Sequence, residues 1–307
     1  MSDMPDPSKP ALAIDCRSND DIRVPVKALM KAENWLLERM PEGQKLIILI
    51  AEQHDLQSHV LFEHAVLQEH LKQFRANPKR SIAFGAEVEH NYLRKHTRVD
   101  IPDPDGRQGM ALFNKSRQGW RSLEARQAVF DLCLRENISV GFNDMADVQL
   151  GNALYIDQSD PSTRSIVERH RPDLTGKNVR RSEPSSTSIG ASGFDLSNIA
   201  IAENAMAHME RSGSSIYIQA CGTSHVMGFT TRRYSYEGSL SALFRKHGHE
   251  VLCVSLSHET VEGTIPAEAR EESDRSFKVS NMNYYRDDRI PYPEARSKIY
   301  RASSYKF

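Results

Sequence analysis

The chain has 307 residues, room for one large domain or two small ones. Its 40 Lys+Arg against 41 Asp+Glu leave a formal charge of −1, which argues against the net-basic footprint of a nucleic-acid or membrane-surface protein. Four Cys, at 16, 133, 221 and 253, form no CxxC pair and are too sparse for a disulfide scaffold, so zinc-finger, iron–sulfur ferredoxin and small secreted toxin readings fall away.

The N-terminal MSDMPDPSKP is acidic and Pro-rich, where a signal peptide has a basic start and an apolar stretch. The longest apolar run, Leu46 to Ala51, is far short of the ~20 residues that span a bilayer. The expectation is a soluble cytoplasmic protein with no membrane span; secretion without a cleaved signal peptide is the other route.

Residues 1–25 read as a flexible arm, rich in Pro, Asp and Ser. Residues 26–260 read as one α/β domain. Helical spacing starts at Val26 and runs through Leu37. Five near-continuous apolar runs follow: KLIILIAEQH (45–54), SIAFGAEVEH (81–90), ISVGFNDM (138–145), SSIYIQACGTSH (214–225) and EVLCVSLSHE (250–259). Unbroken Val/Ile/Leu/Phe runs suit strands covered on both faces, as in parallel sheets. Helical patterns separate most of them, at 56–75, 122–136, 196–211 and 240–246. Alternating strands and helices predict an α/β sandwich with a mainly parallel sheet. Two Pro-, Gly- or Ser-rich stretches, near 91–119 and 157–193, read as loop insertions, the second as a lid or flexible segment. Residues 261–307 form a C-terminal segment, basic and Tyr-rich from Arg275.

The strand ends carry the chemistry. In an open parallel sheet all carboxyl ends lie along one edge, where ligands bind. Here they read Ala51-Glu52-Gln53-His54, Glu87-Val88-Glu89-His90, Asn143-Asp144, Gly222-Thr223-Ser224-His225 and Ser257-His258-Glu259. Glu52, His54, Glu87 and His225 are therefore expected in one pocket. Such a cluster suits a divalent metal that activates water, with Glu52, His54 and His225 as ligands and Zn or Mn as the ion. The same groups without metal serve as general acid and base. The other histidines are weaker candidates: His59 and His70 share a helix face but stand ~16 Å apart. Cys221 reads as a small buried thiol, and Ser224 is too close in sequence to His225 for nucleophile–base geometry. No GxSxG, GxGxxG or P-loop pattern is present.

At these residues the chain resembles the superfamily of erythromycin esterases, haem-uptake ChaN proteins and Tiki/TraB proteins. The group's pattern is a strand ending in Gly-x-x-His, a second strand ending in Glu, a helix start bearing Arg/Asn, and a second Gly-x-x-His. Here these are AEQH (with Ala51 for Gly), Glu87 in FGAEVEH, SNIAIAENAMAHM with Asn198 and no Arg beside it, and CGTSH. The resemblance covers roughly residues 45–256. It implies an α/β sandwich and, among its members, lactone-ester hydrolysis, metal-dependent peptide hydrolysis or haem binding. The expectation is a hydrolase of ester or peptide bonds, acting on a small-molecule or peptide substrate. His54, Glu87 and His225 are its catalytic residues and Asn198 its substrate-polarising residue. Two alternatives stay open: a non-catalytic haem- or ligand-binding protein, and an interaction or effector protein with a vestigial site.

Overall fold

A computed structural model describes residues 12–15, 23–52, 57–76, 81–99, 102–115, 123–181, 188–222, 225–226, 238–257 and 276–280. All five expected strands form: β2 (Leu46–Glu52), β3 (Ile82–Glu89), β4 (Ser139–Asp144), β7 (Ile216–Gly222) and β8 (Glu250–Ser257). The sequence reading placed no strand in the N-terminal arm or the C-terminal segment. The structure has one in each, β1 (Leu12–Asp15) and β9 (Ser276–Ser280), and they pair with each other. The sheet is parallel throughout, in the order β1-β9-β8-β2-β7-β3-β4.

Every residue of β2 and β7 is buried, which is why these segments show no polar alternation. Successive side chains still take opposite faces. Leu46, Ile48 and Ile50 meet α1 (Arg23–Leu37), α2 (Gln57–Ala76) and α5 (Leu123–Glu136). Ile47, Leu49 and Ala51 meet α7 (Ser188–Ser212) and α8 (Leu240–Lys246). Helices thus cover both faces, and all strand carboxyl ends share one rim. Register sets Glu52 beside Gly222, and Glu89 beside Asp144.

Both expected loop insertions contain helix. In the first, α3 (Tyr92–Thr97) and α4 (Arg107–Phe113) bury Tyr92, Met110 and Phe113 against the α5 side of the core. Gly106 makes this turn: its φ is +66°, and a Cβ there would stand 2.2 Å from the Val140 carbonyl oxygen. Gly106→Ala should lower unfolding free energy by at least ~2 kcal/mol, strain and clash together. Gly176, at φ +72° with open space around it, is the control. Its Ala variant should lose only ~1 kcal/mol in the same urea titration.

The second insertion follows a hairpin, β5 (Asp147–Leu150) with β6 (Ala153–Ile156). Helix α6 (Pro161–His170) then opens with Asp160 capping the Thr163 amide and Pro at the start. Ile166, Val167, Leu174 and Val179 pack with Met145, Ile156, Leu196 and Ala200 into a third core. The Ser/Arg/Pro composition of 157–193 predicts a stretch too polar to order itself; up to Arg181, four well-spaced apolar residues order it.

Two buried histidines tie the fold to pH. Burial, assisted by Arg135, lowers His64 to about 4, and burial assisted by Arg211 lowers His208 to about 4. His208 also lies between the Ser139 hydroxyl (2.8 Å) and the Tyr217 hydroxyl (2.9 Å). A folded-state value below the unfolded ~6.5 means the unfolded chain binds protons first on acidification. Their contribution is therefore full above pH ~6.5 and is lost as pH falls toward 4, by up to ~3 kcal/mol each. The urea midpoint should drop steeply between pH 7 and 4.5, and His208→Gln should flatten that slope.

Candidate functional site

Glu87 is on β3 and faces α7, since its neighbours Ala86 and Val88 face the α2/α5 core. The Gly222 amide at the end of β7 donates to Glu87 Oε2 at 2.7 Å. His225 Nε2 lies 3.2 Å from Glu87 Oε1. The other ring nitrogen, Nδ1, lies 2.5 Å from Asn198 Oδ1, and the imidazole stacks on Phe194 at 4.4 Å. Both Phe194 and Asn198 come from α7. The sequence reading put Asn198 at a helix start. The helix instead begins at Ser188, so Asn198 sits mid-helix, with a side chain buried at the rim.

The amide of Asn198 has one permitted orientation. Its Nδ2 donates to the Gly238 carbonyl at 2.7 Å, so Oδ1, an acceptor only, is the atom facing the ring. His225 Nδ1 must then carry a hydrogen. That leaves Nε2 facing Glu87 Oε1 at 3.2 Å, the spacing at which one proton can pass between the two. Glu87 and His225 thus form a close pair whose imidazole tautomer is set by Asn198.

Glu52 goes elsewhere. It is 2% exposed, and its Oε1 accepts from Arg126 Nη2 of α5 at 2.6 Å. Arg126 also binds both oxygens of Glu63 on α2. Glu52 thus joins the α2/α5 side, across the sheet edge from α7 and His225. Burial pushes the Glu63 carboxyl well up; Arg126 opposes the rise and Glu52 adds to it. Burial alone would lower the Arg126 guanidinium, but Glu52 and Glu63 outweigh it and keep it firmly charged. His54 lies outside the described residues, so its expected place beside His225 lies outside them too.

Sequence reasoning missed Arg181. Its guanidinium is 15% exposed and 3.8 Å from Glu87 Oε1, bound to Asp144 of β4 and, at 2.7 Å, to Asp147 of β5. Burial lowers Arg181, with Glu87 and Glu89 opposing. Nothing in an Arg-rich stretch marks one arginine as the residue that reaches the rim. Cys221 is fully buried, and burial and then Glu87 hold its thiol well up, in keeping with an inert core role.

Of the expected metal ligands, the described Glu52 and His225 are engaged by other residues, and His54 lies outside the described residues. Among the described residues no three His, Cys, Asp or Glu side chains are grouped to hold an ion. Both His225 ring nitrogens are committed, Glu52 is bound to Arg126, and Arg181 sets a fixed cation near Glu87. Among the described residues, a cavity of about 320 Å³ outside β4 mixes apolar Leu93, Val140 and Phe142 with charged or polar His90, Arg94, Asp160 and Arg211.

No protein-family model and no curated protein matches the chain. Among solved structures, the type III effector HopBA1 aligns with a TM-score of 0.43 and 13% identity, over 89% of this chain and 96% of that one. ChaN of Campylobacter jejuni, whose structure shows cofacial haem binding, aligns with a TM-score of 0.39 and 9% identity, over 73% of this chain and 85% of that one. A succinoglycan biosynthesis protein aligns with a TM-score of 0.41 and 12% identity, over 78% and 71% of the two chains. Likeness at this level leaves the chemistry to the site itself. Among the described residues no helix is long and apolar enough to cross a membrane.

Proposed function

We propose that the chain is a hydrolase of ester or peptide bonds in which Glu87 and His225 handle the protons of the attacking water and the leaving group. The supporting observation is the 3.2 Å approach of His225 Nε2 to Glu87 Oε1, with the imidazole tautomer set by Asn198. With a proton on Nε2, Glu87 is the base: it takes a proton from water as the water oxygen attacks the carbonyl carbon. His225 then gives its Nε2 proton to the departing alkoxide or amine, and proton exchange between the two restores the pair. One water is consumed per bond cleaved. His54, two residues past Glu52 in sequence, is the remaining candidate for orienting that water.

The test is a panel of ester and peptide substrates, with wild type, His225→Ala and His54→Ala assayed on each, before and after chelation. Turnover that survives chelation and is lost in His225→Ala supports this reading. Turnover unchanged in His225→Ala, or abolished by chelation and restored by Zn or Mn, overturns it.

A further inference from the structure

Arg181 is a charged group at the rim that the proposed chemistry does not use, and the fold goes to some length to deliver it. The chain leaves β4, makes the β5–β6 hairpin and α6, and returns along β6. There the Arg181 amide donates to the Leu154 carbonyl at 3.0 Å, and Arg180 bridges to Tyr155. The other side of this return is α7, where Gly193 lets the backbones close up: a Cβ on Gly193 would stand 2.0 Å from the Arg180 carbonyl oxygen. The third core fixes the insertion behind it. Asp144 then takes Arg181 with one oxygen, while its other accepts from the Ser197 hydroxyl at 2.9 Å and the Met145 amide at 2.8 Å. Asp147 holds the second guanidinium nitrogen at 2.7 Å.

We propose that Arg181 is a positioning residue of the site and that residues 145–181 are built to deliver it. Glu87 is approached from three sides: the Gly222 amide on Oε2, and His225 and Arg181 on Oε1. A carboxylate on a strand end has several rotamers open to it. A planar guanidinium locked by two aspartates removes the freedom to swing toward the hairpin, because a carboxylate attracted to a fixed cation stays against it. The inference rests on the hydrolase reading for its consequence in rate, but not for its structural content.

Removing Arg181 alone strands Asp144, whereas Asp147 keeps Lys95 at 3.3 Å, so the variant of choice is the double Arg181→Gln/Asp144→Asn, which leaves net charge unchanged; Gly193→Ala displaces Arg181 from a distance. The reporter is the Gly222 amide, whose hydrogen bond exists only while Glu87 stays in place. In the full chain, hydrogen exchange at Gly222 should speed up by about 10-fold or more in the double variant, with β2 amides unchanged. On any substrate the wild type cleaves, kcat should fall ~100-fold with KM within about twofold, and Arg181→Lys should recover part of it. Gly193→Ala should move both readouts in the same direction. A role confined to holding the insertion together would lower the melting temperature and leave Gly222 alone. A folded double variant with wild-type Gly222 exchange overturns the proposal. If Gly222 responds but the wild type hydrolyses nothing, the hydrolase reading fails and the placement of Glu87 by Arg181 stands. If hydrolysis requires His225 while Gly222 and kcat ignore Arg181, this inference alone fails.

Discussion

Arg126→Met should be among the most destabilising single substitutions in the chain, at ~3–5 kcal/mol. The cause is what it leaves behind. Glu52 and Glu63 are 2% and 0% exposed and face one guanidinium from two elements, β2 and α2. Without it, two carboxyl groups remain in a site with almost no access to water. The triple variant Arg126→Met/Glu52→Gln/Glu63→Gln removes the stranded charges and should regain most of the loss, since an ion cluster replaced as a whole is often neutral in stability. Urea unfolding at pH 7 measures both. A loss under ~1 kcal/mol for Arg126→Met would contradict the packing described here, because surface ion pairs are worth that little.

The second large effect is on turnover. Glu87→Gln keeps the shape and the acceptor for the Gly222 amide but cannot take a proton, so kcat should fall by ~10³-fold with the fold intact. His225→Gln should fall as far, because the leaving group then departs without its proton. Asn198→Leu acts one step back: the imidazole loses the acceptor that sets its tautomer, and ~10²-fold is expected. Circular dichroism and the urea midpoint separate these losses from unfolding.

Much of the fold was legible because buried parallel strands write themselves as unbroken apolar runs. KLIILIAEQH and SSIYIQACGTSH are examples, and the helices between them keep their own period. The short outer strands were not legible: Leu12–Asp15 and Ser276–Ser280 have four and five residues and derive their order from a partner more than 260 positions away. Helix α6 was missed although Asp160-Pro161 is a helix-start signal, because the surrounding Ser and Arg residues dominate the composition.

For the site, the strand-end rule correctly brought Glu87 and His225 together. It also grouped Glu52 with them, and there parity decides otherwise. Glu52 continues the Leu46-Ile48-Ile50 row toward α2 and α5, whereas Glu87 follows Ala83 and Gly85 toward α7. Rim membership is a property of strand ends; the face is a property of odd and even positions, and a pocket needs both. Arg181 depends on a fold-back through a third core, which no local pattern announces.

The claim that Glu87 and His225 act as one unit is tested most directly by a double-substitution cycle on a single hydrolysed substrate: Glu87→Gln, His225→Gln and the two combined. Groups that share one proton lose their function together, so each single variant should lose ~10³-fold in kcat and the double no more than about threefold beyond that. Losses that multiply to ~10⁶-fold would mean that the two residues work independently, and that the shared proton between them is not what drives turnover.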